Sequence, residues 1–404
     1  FEIQIPPANT ATMNLFVLVW SYLKARPMNT VLNILLLSLG IGVITTLLLF
    51  NNQFQEKMSQ NSRGVDLVVG AKGSPLQLVL CSVFHIDFPT GNIKLSDAQK
   101  LSKNRLVKRS IPMALGDSYQ NFRIVGTDTA YTNLFSAKLR EGNWWSKDLE
   151  VVVGSSVSEN LSLKTGDTFA SAHGLTNDGH AHEENLYRVV GILEPSHSVI
   201  DNLLFTNVAS IWRVHDLHEM PDSTREITSL LIKFRNPIAA LQLPRMINTQ
   251  TNMQAASPAF EAARLFSILG IGVDVLLGVA STIIVVSGLS IFIALYNSLK
   301  ERRYDMAIMR AMGLGRPKLF SAVIMEGAML TLCGSILGLL IGHVLVFGFT
   351  TMVEAGTRTG ISGFVFYKEE LFVVVASVAL GVLCSLIPAW QAYRTDIHKV
   401  LSGN

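Results

Sequence analysis

Charged residues are scarce in this sequence of 404 residues: Asp, Glu, Lys and Arg make up 16%, whereas apolar residues make up 49%. The mean hydropathy is +0.37, which is too apolar for an ordinary soluble protein and too polar for a chain that lies wholly in lipid. The net charge is only +3, and no basic run with interleaved aromatic residues occurs, so no nucleic-acid partner is expected. We therefore expect membrane-spanning helices together with one large water-soluble part.

Cysteines and catalytic motifs are also scarce. There are three cysteines, and two of them, Cys333 and Cys384, fall inside apolar runs, which argues against a disulfide framework. The sequence has no G-x-x-x-x-G-K-[ST] motif, so the chain is not expected to bind nucleotide phosphates itself. Neither Ser-His-Asp nor H-E-x-x-H spacing occurs either. We expect no enzymatic activity and no cofactor in this chain, so any energy source must lie on another subunit.

Four apolar runs are long enough to cross a membrane of about 30 Å hydrocarbon thickness. Lys24 and Arg26 precede the first run, and basic residues beside a span favour the cytoplasmic side; both termini are therefore predicted to be cytoplasmic. The predicted segments are an upstream or non-native leader (1–12), an interfacial amphipathic helix (13–28), the first span (29–51), an extracytoplasmic domain (52–260), a stalk with the second span (261–299), a cytoplasmic hairpin (300–318), the third span (319–352), a short outer loop (353–370), the fourth span (371–391) and a cytoplasmic tail (392–404).

The long segment between the first two spans has the pattern of a mixed α/β domain. Short β-rich runs alternate with helical patterns, and Lys164-Thr-Gly-Asp167 has the composition of a turn between a helix and a strand. The predicted strands are 65–69, 122–125, 149–153, 187–193, 203–206 and 227–234, and the predicted helices are 96–102, 155–161, 208–217 and 238–249. The predicted fold class is a membrane protein with four transmembrane α-helices and a large α/β extracytoplasmic domain between the first and second.

The hairpin between the second and third spans is strongly basic and is predicted to contain a short amphipathic helix. Good helix formers occupy 304–312, and Gly313 and Gly315 follow them. On the cytoplasmic side, such a helix offers a docking surface to a soluble partner. An ordinary surface loop is the alternative.

The third span contains Gly334, Gly338 and Gly342 at four-residue spacing, which makes a flat helical face for close packing of another helix, within or between subunits. Three ionisable residues also lie in or near the spans: Asp274, Glu326 and His343. Such groups are costly in lipid. For Glu326 we expect a structural or coupling role, and for His343 a polar surrounding; Asp274 remains an intramembrane candidate.

A histidine-rich stretch, His173-Gly-Leu-Thr-Asn-Asp-Gly-His180-Ala-His182-Glu-Glu, lies in the extracytoplasmic domain. Its composition can bind zinc or copper, so His173, His180 and His182 are candidate ligands. A solvated hydrophilic loop is the alternative interpretation.

Four motifs together resemble the permease subunits of MacB/LolCDE/FtsX-type ABC transporters (type VII), over essentially 13–402. The hairpin KERRYDMAIMRAMG (300–313) resembles the family pattern E-R-x-x-E-I-x-x-x-R-A-x-G, and Glu326 is followed by the glycine face. The tail PAWQAYRTDIHKVL (388–401) resembles P-A-x-x-A-x-x-x-x-P-x-x-x-L, and VVVGSSVSENLSLKTGD (151–167) resembles a motif of the family's periplasmic domain. Asp305 stands where Glu is usual and Ile397 where Pro is usual; the insert 71–90 and the histidine loop are outside the general pattern.

The resemblance implies a bacterial inner-membrane protein that pairs with a second copy of itself, expected to be a homodimer, and with separate ATPase subunits that hold ATP and Mg. It implies that Arg302, Arg303 and Arg310 contact the ATPase by charge and Met306 and Met309 by packing. ATP-driven movement of the periplasmic domain would then extrude or extract a lipoprotein, peptide or other apolar molecule. Two alternatives stay open: a force-transmitting or signalling subunit with an outer protein partner, and a zinc-linked system that uses the histidine loop.

Overall fold

The computed structural model describes residues 15–173, 184–215, 221, 224–352 and 361–394. The chain divides into two compact units. The helical unit comprises 1–52, 271–353 and 362–404, and the sheet unit comprises 53–270 and 354–361. The leader 1–12 and the second half of the tail motif lie outside the described residues.

Twelve α-helices occur in the described parts of the chain. They are α1 (Leu15–Ala25), α2 (Pro27–Asn61), α3 (Pro75–Ser82), α4 (Leu95–Ser102), α5 (Thr129–Leu134), α6 (Ser155–Leu161), α7 (Val208–Val214), α8 (Ala239–Gln250), α9 (Pro258–Glu301), α10 (Arg303–Ala311), α11 (Arg316–Met352) and α12 (Lys368–Arg394). Of these, α2, α9, α11 and α12 are long and apolar enough to cross a membrane, so four predicted spans are present, each within a longer helix.

Thirteen strands occur in the same described parts. They are β1 (Leu67–Ala71), β2 (Ile93–Lys94), β3 (Val107–Tyr119), β4 (Phe122–Gly126), β5 (Leu139–Gly142), β6 (Glu150–Val153), β7 (Thr168–Phe169), β8 (Ala172–His173), β9 (Tyr187–Leu193), β10 (Leu203–Thr206), β11 (Glu226–Ile227), β12 (Ser229–Phe234) and β13 (Met253–Ala256). The mixed α/β class predicted for this segment is confirmed.

Eleven of these strands form one sheet in the order β13-β1-β12-β3-β4-β10-β6-β9-β5, with β7 on β9 and β8 on β3. The first strand of the unit thus lies between its last two, β12 and β13, and is antiparallel to both. Most pairs are antiparallel, whereas β4 with β10 and β6 with β9 are parallel. Strands β2 and β11 form a separate two-stranded sheet.

Local sequence explains where several short helices of this unit begin. The Ser74 hydroxyl accepts a hydrogen bond from the Gln77 amide before α3, and Pro75 occupies the first turn, where its missing N–H costs nothing. Asp128 caps α5 in the same way, and Asn207 caps α7. Helix α3 lies inside the insert 71–90, so this departure from the family pattern is an ordered element.

The core of the sheet unit includes the end of α2 and the start of α9, the two membrane-crossing helices that enter this unit. Met58, near the end of α2, is buried in the largest apolar cluster, and Phe54 and Phe266 pack against that cluster from α2 and α9. The two phenyl rings meet edge to face with centroids 5.5 Å apart, a favourable aromatic geometry. The last turns of α2 and the first turns of α9 are therefore part of the packed core of this unit.

Candidate functional site

The short helix α10, in the helical unit, is the element predicted to bind a soluble partner. It carries Asp305 in its first turn and Arg310 in its last, and both charges complement the helix dipole. The chain leaves it at Gly313, whose φ of +99° suits a residue without a side chain. The predicted hairpin helix is thus present, although it ends one residue earlier than the apolar pattern indicated.

One face of α10 is buried within the helical unit. Met306 and Ala307 are buried, and Met306 packs in an apolar cluster that includes Leu319 of α11 and Ala389 of α12. Met309 is half-buried against the same cluster. This packing fixes the rotation of α10 about its axis, and so determines which residues it presents outward.

The opposite face of α10 presents an apolar stripe edged by charge. Tyr304, Ile308 and Met312 are 58%, 39% and 81% exposed, and their four-residue spacing places them along one side of the helix. Arg303 and Asp305 are exposed beside them. We call Tyr304, Ile308 and Met312 the exposed stripe.

Arg302 lies immediately before α10 and turns inward. Its guanidinium nitrogen is 3.7 Å from a carboxylate oxygen of Glu326 on α11, with only 12% and 10% of the two side chains exposed. The guanidinium also donates a hydrogen bond to the Tyr22 carbonyl oxygen at 3.2 Å and lies 3.9 Å from the centroid of the Tyr22 ring. Arg302 therefore ties the start of α10 to α1 and α11.

A second ion pair lies in the same region and joins Arg26, between α1 and α2, to Glu301, the last residue of α9. The Tyr22 hydroxyl also donates to the Met309 sulfur at 3.7 Å. Helix α1 is thus held to Arg302 and Met309 through Tyr22, so a displacement of α10 should also displace α1.

These contacts divide the five residues predicted to contact an ATPase. Arg303 is exposed, Met309 and Arg310 are half-buried, and Arg302 and Met306 face the interior of the helical unit. The exposed stripe was not among the predicted contact residues. The four-residue spacing of the exposed stripe was visible in the sequence. The sequence also contains a second apolar set, Met306 and Met309, and only the packing of α10 shows which of the two sets is buried and which is exposed.

The glycine face of α11 lies against α2 of the same chain. A Cβ at Gly334 would come within 2.9 Å of Leu37, one at Gly338 within 2.7 Å of Ile41, and one at Gly342 within 2.6 Å of Thr45. Each added methyl group would overlap α2 unless the helices moved apart. Within the described chain, the three glycines therefore serve close packing between the first and third spans.

The ionisable groups of the spans differ in their surroundings. Asp274 is exposed on α9, whereas Glu326 is buried beside Arg302. His343 is buried. Its Nδ1 atom lies 2.6 Å from the Gly363 carbonyl oxygen, and its Nε2 atom lies 2.9 Å from a Glu370 carboxylate oxygen. The polar surrounding expected for His343 is thus a link between α11 and the start of α12, which the spacing in sequence did not indicate.

The predicted metal ligands fall mainly outside the described residues. His180 and His182 lie in the gap 174–183, whereas His173 is the last residue of β8. No group of three His, Cys, Asp or Glu side chains suitable for a metal occurs among the residues that the structure describes. Metal binding by His173, His180 and His182 stays a prediction.

Four membrane-crossing helices, an α/β unit inserted between the first two and a short helix between the second and third define a membrane permease. The MacB-like periplasmic core domain family matches residues 30–249, which are 220 of the 404 residues, and the FtsX-like permease C-terminal family matches 277–397. The chain belongs to the MacB-like and FtsX-like family. It is a permease subunit of a type VII ABC transporter.

Two curated relatives match nearly the whole chain. The chain is 22% identical to the lipoprotein-releasing system transmembrane protein LolE of Haemophilus influenzae, covering 96% of this chain and 99% of that protein. It is 18% identical to the lipoprotein-releasing system transmembrane protein LolC of Buchnera aphidicola, covering 91% and 92%. The periplasmic region of MacB from Actinobacillus actinomycetemcomitans matches 52% of this chain and 97% of its own length, at 14% identity and a TM-score of 0.35.

Proposed function

We propose that this permease couples ATP hydrolysis on a separate ATPase subunit to movement of its sheet unit, which extracts or extrudes an apolar substrate such as a lipidated protein or a peptide. The work is mechanical, and a pair of permease chains performs it. One observation carries the proposal: each of the first two spans is a single helix that continues into the core of the sheet unit.

The lengths of these helices support mechanical transmission. Helix α2 has 35 residues and α9 has 44, so at 1.5 Å per residue they extend about 52 and 66 Å, well beyond a hydrocarbon core of about 30 Å. Their far ends pack in the core of the sheet unit through Met58, Phe54 and Phe266. In this proposal, a tilt of either helix displaces the core residues that the helix carries.

At the other end, α10 is the element that receives the movement of the ATPase. The exposed stripe supplies apolar contacts, and Arg303 adds charge at its edge. Arg302 and Met306 act inside the permease: they hold α10 in register with α1, α11 and α12. Met309 and Arg310, which are half-buried, lie at the border between the two roles.

The names of the curated relatives support a lipid-linked substrate. Both are transmembrane proteins of lipoprotein-releasing systems. We infer the same chemical class for this chain, a molecule with an apolar anchor that must be removed from a bilayer. ATP and Mg belong to the partner subunit in this proposal, and the bilayer is the bacterial inner membrane with both chain termini and α10 on the cytoplasmic side.

The experiment that tests the proposal measures ATPase activity of the complex of permease and ATPase in lipid nanodiscs, with and without a lipidated peptide. The test variant is Ile308→Glu combined with Met312→Glu, which places two charges on the exposed stripe. The matched control is Leu241→Glu on α8, where the side chain is 80% exposed. We expect the double variant to lose both co-purification with the ATPase and stimulation by the lipidated peptide, and the control to keep both.

Two outcomes would contradict the proposal. If the double variant binds the ATPase and responds to the peptide as the wild type does, α10 is not the coupling element. If the wild-type complex is never stimulated by lipidated peptide but is stimulated by an outer protein, the chain transmits force to that protein and moves no apolar substrate.

A further inference from the structure

A histidine and a glutamate meet inside the helical unit, at the end of α11 that lies opposite α10. The Nε2 atom of His343, on α11, lies 2.9 Å from a carboxylate oxygen of Glu370, in the first turn of α12. Only 11% and 5% of the two side chains are exposed. His343 is about 40 Å along the helix from Arg316, which exceeds a hydrocarbon core of about 30 Å. We therefore place the pair near the membrane surface opposite Arg316.

The hydrogen bonds of His343 determine how many protons the pair holds. Its Nδ1 atom lies 2.6 Å from the Gly363 carbonyl oxygen, and because a carbonyl oxygen can only accept, Nδ1 must carry a proton. A neutral imidazole of this kind has a lone pair at Nε2, and an ionised carboxylate also has only lone pairs. The Nε2 atom and the Glu370 oxygen would then repel each other at 2.9 Å unless a proton lies between them.

This proton can be assigned to either partner. It belongs to an imidazolium that faces an ionised Glu370, or to a carboxylic acid that donates to a neutral His343, and the pair has no net charge in either case. Without the proton, the enclosed pair would have one uncompensated negative charge, which is costly away from water. The contact therefore holds one proton more than a neutral histidine and an ionised glutamate hold together.

The same pair binds the residues that precede α12, 362–367, which we call the connecting segment. His343 holds its Gly363 carbonyl oxygen, and the second carboxylate oxygen of Glu370 accepts a hydrogen bond from the Tyr367 amide at 2.9 Å. The segment also packs closely on α11, since a Cβ at Gly363 would lie 2.6 Å from the His343 carbonyl oxygen. The position of the connecting segment therefore depends on the pair.

The neighbouring elements bring few other ionisable groups to this place. Lys368 and Glu369, in the same turn of α12, are exposed, and Tyr367 contributes its backbone amide. The part of α2 that packs against the glycine face of α11, around Thr45, contains no charged residue. Among the described residues, the charge that balances the buried carboxylate is thus the proton that it shares with the histidine.

The geometry points to a proton-binding site: we propose that His343 and Glu370 take up one proton from the water at this membrane surface, and that the bound proton fastens the connecting segment to α11. Loss of the proton leaves a neutral imidazole against an ionised carboxylate, and the connecting segment is released. The permease then has a pH-sensitive link between its third and fourth spans. This link goes beyond the permease function and does not depend on α10 or on any substrate.

The test is hydrogen exchange of the full-length permease in nanodiscs, followed by mass spectrometry on the connecting segment over about pH 5.5 to 9 and corrected for the intrinsic pH dependence of exchange. A solvated histidine loses its proton above about pH 6.5, so opening of the segment releases the bound proton above that pH. We expect protection to be constant below about pH 6.5 and to fall by up to about tenfold per pH unit above it.

The test variant is Glu370→Gln. Its side-chain amide can donate to Nε2 of His343 and accept from the Tyr367 amide without a bound proton. The connecting segment should therefore stay protected, and the decline above about pH 6.5 should disappear. The matched control is Glu369→Gln, the same chemical change on the exposed neighbour, which should follow the wild-type curve.

Two results would overturn the proposal. The first is equal protection of the wild-type connecting segment at about pH 6 and 9, since no proton is then released when the segment opens. The second is a Glu370→Gln variant whose protection falls with pH as steeply as that of the wild type, since another group then titrates. Circular dichroism shows whether the variant folds, and the wild-type pH series decides by itself if it does not.

Discussion

Removal of either partner of the Arg302–Glu326 pair should destabilise the helical unit, because the other charge would stay buried. The nitrogen and oxygen atoms are 3.7 Å apart, and both side chains are nearly enclosed. At an effective dielectric constant of about 20, two unit charges at this distance attract by roughly 4–5 kcal/mol, and desolvation of both ions offsets much of that. Loss of one partner from such a pair costs about 3–5 kcal/mol.

The measurement is a double-mutant cycle with Arg302→Gln, Glu326→Gln and the combined variant. Unfolding in mixed micelles titrated with a denaturing detergent, followed by circular dichroism, gives the free energy of each. We expect each single variant to lose about 3–5 kcal/mol and the double variant to lose less than their sum by about 1–3 kcal/mol. Arg302→Gln should cost more than Glu326→Gln, since Arg302 also contacts the ring and carbonyl oxygen of Tyr22.

The control is Arg303→Gln, the same chemical change on the exposed neighbour, which should alter the free energy of unfolding by no more than about 0.5 kcal/mol. If the two single losses simply add to the double loss within about 0.3–0.5 kcal/mol, the pair has no interaction energy and the proposed link between α10 and α11 is refuted. A large loss in the control would show instead that any change beside α10 disturbs the unit.

Three further predictions concern packing and pH. Gly338→Ala puts a methyl group 2.7 Å from a side-chain carbon and 2.9 Å from a carbonyl oxygen of α2, so unfolding in micelles should show a loss of about 1–3 kcal/mol; Gly348→Ala on the same helix meets nothing within 4 Å and should be neutral. Burial, together with the charge of a nearby arginine, holds the pKa of His85 well below its usual range. As the pH falls below about 6.5, His85 therefore binds a proton in the unfolded chain but not in the folded one, and the free energy of unfolding declines by up to about 1.4 kcal/mol per pH unit. The His85→Gln variant should show a shallower decline in urea titrations at several pH values. An unchanged slope would contradict this prediction. The Phe54 and Phe266 rings should show about 0.5–1.5 kcal/mol of coupling in an alanine cycle, and simple additivity would mean that the two helix ends do not support each other.

The sequence was sufficient for the helical unit because long apolar runs allow few alternatives. The four spans and the short helix between the second and third follow from length and periodicity alone. Helix α2 continues to Asn61 through polar residues that have helical potential in the sequence, and the packing of Met58 and Phe54 in the core of the sheet unit stabilises this extension.

In the sheet unit the central strand β3 was missed, although it has 13 residues. Its sequence, VKRSIPMALGDSY, contains a proline, a glycine and several charged residues, and such residues are disfavoured in strands. Local propensity therefore predicts a loop at this position. Pairing with β12, β4 and β8 along its length overrides that propensity. Because Asp117 belongs to this strand, missing the strand also hid the contact between its carboxylate and His215, the residue that follows α7.

The contacts at the coupling helix could not be predicted for a different reason. Two sets of apolar residues lie on α10, and the periodicity of the sequence does not show which set is buried and which is exposed. Glu326 was recognised as unusual from its place in a span, but its partner Arg302 was assigned to another protein. Only the tertiary structure shows that the arginine neutralises this carboxylate within the chain.

The register between β1 and β13 has a consequence for how this protein is made. Val68 pairs with Ala256, so the chain enters and leaves the sheet unit on neighbouring strands about 4.8 Å apart. Domains whose chain ends lie close together tolerate insertion into another chain, so a unit with its ends on neighbouring strands is suited to insertion between two helices. The same register means that β1 has no partner on either side until the residues of β12 and β13 have been synthesised. Synthesis of the whole unit, and not of its first half, is therefore the event that completes its sheet.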